Sequence, residues 1–112
     1  MPGAKVATLA NATGAFDATA GVHPAMWASA DAENLKAPIG VFPSKDENEE
    51  EFEKFMEIAN KKPFASKNKY KRYPTQIHGW AAARADLSDP ENLKQYEDVY
   101  TELSHFFKNA LA

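Results

Sequence analysis

Hydrophobic and polar positions change period several times along the chain. Lys5 to Ala12 predicts a short helix that stops before Gly14, a residue able to take the left-handed conformation that closes helices. Phe16 to Val22, FDATAGV, reads as a small-residue strand running into His23-Pro24, where the proline ends it. Ala37 to Phe42, APIGVF, is a continuous apolar run bounded by Pro38 and Pro43, and the lack of alternation predicts a strand covered by helices on both faces. From Asp46 to Asn60 the residues Phe52, Phe55, Met56 and Ala59 recur at i, i+3, i+4 and i+7, one apolar stripe on an otherwise acidic helix. Glu47, Glu49, Glu50 and Glu51 crowd its start. Carboxylates are favoured there by the positive end of the backbone dipole, so the run is read as helix-start chemistry rather than as an acidic ligand site.

Asn68 to Thr75, NKYKRYPT, interleaves tyrosines with lysines, the usual guard of an edge strand against aggregation. Asp89-Pro90 then supplies a cap and a first-turn proline. Leu93, Tyr96, Tyr100, Leu103, Phe107 and Ala110 repeat at helical spacing behind them to form a closing amphipathic helix. Strands alternating with helices predict the α/β class, with a small, mostly parallel, three-stranded sheet flanked by helices. The length of 112 residues suits one domain over 1–112. Ligand sites in such sheets gather outside the carboxyl ends of the strands. His23, the Ser44 to Asp46 turn and His78 are therefore expected at one rim, although they are far apart in sequence.

The net charge is −3, and the basic residues are scattered apart from Lys67, Lys69, Lys71 and Arg72, a pattern that argues against a nucleic-acid partner. No basic-then-apolar leader opens the chain, and no run approaches the roughly 18 apolar residues of a membrane span. The expectation is an intracellular, cytoplasmic protein with no membrane partner. There is no cysteine, so a disulfide, a zinc-thiolate site and a thiolate nucleophile from this chain are all excluded.

Asp46 and His78 fit an acid-base pair in which the carboxylate orients the imidazole and the imidazole moves the proton. The bland alternatives stand beside that reading. Asp46 could cap the second helix with Glu49 three residues on, and His78 could be a turn residue satisfied by water or backbone. His23 is followed by proline and His105 falls mid-helix, and neither is given a catalytic role. His23, His78 and Asp46 match no recurring metal spacing, so no metal and no cofactor are expected. None of the serines lies in a Gly-x-Ser-x-Gly elbow, and there is no glycine-rich phosphate loop.

FDATAGVHPAM, APIGVFPSKDE, YPTQIHGWAAARADLSDPEN and the closing helix together resemble the C-terminal half of the dienelactone hydrolase family, a branch of the α/β-hydrolase superfamily. The sharpest element is HGWAAARADLSDP, similar to the family's histidine loop. The resemblance implies a truncated α/β-hydrolase fold, with Asp46 as the catalytic acid and His78 as the base. Arg84 lies near an arginine that helps hold the substrate carboxylate in some members. The family's nucleophile sits on an elbow before the segment at which this chain begins. Hydrolysis of a small-molecule ester or lactone would therefore be weak, or completed by a partner chain. An open edge along Phe16 to Val22 implies a homodimer through that strand. Two further readings are a non-enzymatic, self-associating protein, and a small-ligand binder with a pocket rimmed by His23, Trp27 and Trp80.

Overall fold

The computed structural model describes residues 3–24 and 28–112. Its centre is the apolar run at Ile39–Phe42, which forms β2 with all four residues buried. β1, Thr19–Val22, and β3, Lys69–Tyr70, flank it in parallel, giving the sheet order β1-β2-β3. Thr19 lies opposite Ile39 and Val22 opposite Phe42, while Gly40 and Val41 face Lys69 and Tyr70. Parallel neighbours need crossovers. A 3₁₀ helix over Ser29–Asn34 lies in the first crossover and α2, Glu49–Ala59, in the second. α1, Gly3–Ala12, precedes β1 and packs on it, and α3, Pro90–Ala110, follows β3. The described residues thus form a small α/β domain with a parallel three-stranded sheet, as the alternation of strands and helices predicts.

Successive strand side chains point to opposite faces, so β2 divides the core in two. Ile39 and Val41 pack with Ala32, Leu35, Phe52, Phe55, Met56 and Ala59, the layer made by the 3₁₀ helix and α2. Phe42 packs on the other face with Tyr73, Trp80, Ala81 and Val99, and Tyr96 and Leu103 of α3 lie against that cluster. Gly40 shares this second face. A Cβ there would come within 3.3 Å of the Phe106 ring, so the absence of a side chain lets α3 approach the sheet.

The strands are shorter than the runs that announce them. FDATAGV becomes ladder only from Thr19, and Phe16 and Asp17 stay exposed. NKYKRYPT pairs over two residues, then touches the sheet again through a single bridge from Tyr73 to Ser44. α2 starts at Glu49, with Asn48 as its cap accepting the Glu51 N–H at 3.0 Å, so the Asp46 capping alternative is not what forms. α3 begins as its sequence announces, Asp89 accepting the Glu91 N–H at 3.0 Å ahead of Pro90. Its buried stripe is rotated: Asn92, Val99, Phe106 and Ala110 are inside, whereas Leu93 and Tyr100 are exposed. Two polar side chains stitch the layers. Asn11 donates to the Thr19 hydroxyl and the Ala37 carbonyl and accepts from the Lys36 and Ala37 amides, fixing α1 to the entrances of β1 and β2. Asn92 does the same at the start of α3, donating to Gln76 Oε1 and to the Trp80 carbonyl.

Candidate active site

The tips of the three strands meet. Beyond Phe42 the chain runs through Pro43 and Ser44, and this stretch is tied to the segment after β3 by backbone bonds from Tyr73 N–H to the Pro43 carbonyl, 2.8 Å, and from Lys45 N–H to the Gln76 carbonyl, 2.9 Å. Arg72 braces the same turn, its guanidinium donating to the carbonyls of Lys45 and Glu47 and pairing with Glu49 at 3.1 Å. At β1, His23 N–H extends the ladder onto the Phe42 carbonyl at 2.9 Å. These bonds bring His23, Glu47 and His78 to one lip of the sheet.

The carboxylate facing the imidazole is Glu47, whose Oε2 lies 3.3 Å from His78 Nδ1. Asp46 reaches His78 by a different atom: its Oδ2 accepts the backbone N–H of His78 at 2.8 Å and fixes the loop rather than the ring. Glu47 is held rigidly. The Ser44 amide donates to Oε1 and the Ser44 hydroxyl to Oε2, each at 2.7 Å, and only 7% of the Glu47 side chain is exposed against 27% for His78. A carboxylate accepts and cannot donate when ionised, so this pairing favours the tautomer with the proton on Nδ1 and leaves Nε2 as the basic lone pair. A buried carboxylate behind an imidazole and a freer nitrogen in front of it are the parts of a general base.

The residue missed by sequence reasoning is Glu47. Its signal was Ser44-x-x-Glu47, the spacing at which a glutamate folds back onto a preceding serine's amide. Ser44 itself is fully buried with its hydroxyl committed to Glu47, so it is no nucleophile in this arrangement. His23 is buried, its ring 5.0 Å from that of His78 and 5.4 Å from that of Trp80. Trp80 is wholly inside, its ring 4.9 Å from that of Tyr73, so it supports the lip from below. Arg84 is exposed and lays its methylenes over Gly79, where the backbone is left-handed at φ 90°. It lines a cleft of about 210 Å³ with Trp80, Asp86, Asp89 and Glu91, so carboxylates are its neighbours there. Trp27 lies outside the described residues. Among the described residues no group of three His, Asp, Glu or Cys side chains is placed to hold a metal ion, and no helix is long and apolar enough to cross a membrane.

Burial, reinforced by the neighbouring His78, lowers the His23 pKa below the ordinary imidazole value, with Glu47 opposing more weakly. Between the folded value and about 6.5 the unfolded chain therefore binds the extra proton. The stability contributed by neutral His23 is complete above about pH 6.5 and is lost as pH falls through the folded-state value. Asparagine accepts a left-handed backbone and does not titrate. The gap in urea midpoint between wild type and His23→Asn is expected to narrow on acidification, and a gap independent of pH would contradict the burial effect.

Two curated relatives from Schizosaccharomyces pombe, both uncharacterized AIM2 family proteins, are similar to this chain. One is 37% identical over 109 residues, covering 97% of this chain and 44% of the relative. The other is 36% identical over 86 residues, covering 77% and 35%. The chain thus spans less than half the length of either. No family model matches it. No solved structure matches it either.

Proposed function

We propose that this chain carries the acid-base half of a dienelactone hydrolase-like site acting on small esters or lactones, on a truncated α/β-hydrolase scaffold. The observation that supports it is the contact between Glu47 and the His78 imidazole at the carboxyl lip of a parallel sheet. In this reading His78 Nε2 takes a proton from the attacking group and Glu47 stabilises the imidazolium that results, while Asp46 fixes the loop through the His78 amide. The attacking group is water, or a nucleophile supplied by polypeptide outside these 112 residues. Hydrolysis by the isolated chain is accordingly slow, because removing the nucleophile of a triad costs orders of magnitude in rate. A low rate of p-nitrophenyl acetate hydrolysis that disappears in His78→Ala is the expected result, and a wild-type rate equal to that of His78→Ala removes the hydrolase reading.

A second reading, self-association, rests on a separate observation. β1 is an edge strand, and Val6, Leu9 and Phe16 on or beside α1 are exposed. Lys5 and Asp17 are the charged residues between Gly3 and Val22, so there is little of the charge that keeps open edges apart. A second copy adding its β1 across a two-fold axis would cover this strip. Light scattering at micromolar concentration is expected to give twice the chain mass, and a strict monomer excludes the pairing.

A further inference from the structure

The lip holds a second imidazole that the hydrolase reading leaves without a role. His23 stands at the end of β1 with φ 37°, in the left-handed region that residues other than glycine enter rarely. Observed backbone outliers of this kind cluster at functional sites, where the surrounding structure over-determines them. Here the surroundings are visible. The His23 amide is bonded to the Phe42 carbonyl, and its ring lies between those of Trp80 and His78. Tyr73, Trp80, His23 and His78 thus form a continuous run of rings from the core to the lip, with neighbouring centroids 4.9, 5.4 and 5.0 Å apart.

The His23 and His78 rings meet edge to face, with 68° between their planes. Edge-to-face packing fixes the rotation of a ring as well as its position. His78 needs such a restraint. Its ring contact with the Glu47 carboxylate is 3.3 Å long and its side chain is partly in water, so that contact by itself is a weak restraint on the ring.

We propose that His23 is a positioning residue for His78: the left-handed turn at the end of β1 holds the His23 ring against that of His78, so that Nδ1 stays on Glu47 and Nε2 faces outward. This rests on the Glu47–His78 pairing proposed above. The lowered pKa of His23 agrees with it, since an uncharged neighbour does not repel the imidazolium that His78 becomes.

Long-range ¹H–¹⁵N NMR of the histidine rings at neutral pH tests both ideas and separates them. In the wild type the neutral His78 ring is expected to carry its proton on Nδ1. His23→Asn removes the ring but tolerates the backbone, and the Nδ1 preference of His78 is expected to be lost while the amide spectrum stays dispersed. His23→Gly, which also relieves the backbone, is expected to match it. His23→Phe keeps an aromatic edge and is expected to restore the wild-type tautomer. A wild-type His78 protonated on Nε2 ends the pairing with Glu47 and the positioning role together. A wild-type Nδ1 proton that persists in both His23→Asn and His23→Gly leaves the pairing intact and overturns the positioning role alone.

Discussion

Trp80→Ala is expected to destabilise the domain by about 3–5 kcal/mol, the range for emptying a buried aromatic site that cannot collapse. Trp80 is fully buried and is the largest member of the cluster that joins β2 to α3, with Phe42, Tyr73, Ala81 and Val99 around it. Total stability of a domain is about 5–15 kcal/mol, so a loss of this size threatens folding near physiological temperature. Trp80→Phe provides the control. It keeps most of the packing and deletes an indole N–H that has no hydrogen-bond partner among the described residues, so its cost is expected to stay below about 1.5 kcal/mol. Urea unfolding followed by circular dichroism reads both, and equal losses in the two variants would contradict the packing account.

The other large effect concerns Glu47. Glu47→Gln keeps the shape of the side chain and can still accept from Ser44, but it presents a neutral amide to His78. An amide N–H pointed at Nδ1 favours the opposite tautomer and cannot stabilise the imidazolium. The part of p-nitrophenyl acetate hydrolysis that depends on His78 is therefore expected to fall by about 10²-fold or more, with the fold retained. A variant that keeps the wild-type rate would show that Glu47 is not the carboxylate that serves His78.

Much of the fold was legible because strong local signals agreed with burial. APIGVF reads as a strand covered on both faces, and all four residues of β2 are inside. Phe52, Phe55, Met56 and Ala59 form the buried stripe of α2, and Asp89-Pro90 opens α3. The 3₁₀ helix over SADAEN escaped because its six residues carry no apolar repeat long enough to recognise. The α3 stripe is legible only in part, with Tyr96, Leu103 and Ala110 inward as expected, because several apolar residues straddle the boundary of the face: the sheet selects Val99 and Phe106, which sit beside the expected Tyr100 and Phe107. That choice depends on the opening left by Gly40, which lies on another element.

The site divided along the same line. Loops at strand ends placed His23 and His78 at one lip, and the Ser44 to Asp46 turn was expected to bring the Asp46 carboxylate beside them. Which carboxylate meets the ring turned on where α2 begins. With Asn48 as the cap, Asp46 and Glu47 both remain in the turn, and Ser44 folds Glu47 inward while Asp46 is left for the His78 amide. Trp80 was expected at a pocket rim; its ring is buried in the apolar cluster between β2 and α3, and the residue also lines the cleft beside Arg84.

A pair of double-mutant cycles on urea stability tests most directly which carboxylate serves the imidazole. Glu47 touches the His78 ring, so Glu47→Gln and His78→Ala are expected to be non-additive, by about 0.5–3 kcal/mol. Asp46 touches only the amide of residue 78, which His78→Ala retains, so Asp46→Asn and His78→Ala are expected to add. Coupling between Asp46 and His78, with none between Glu47 and His78, would contradict the account.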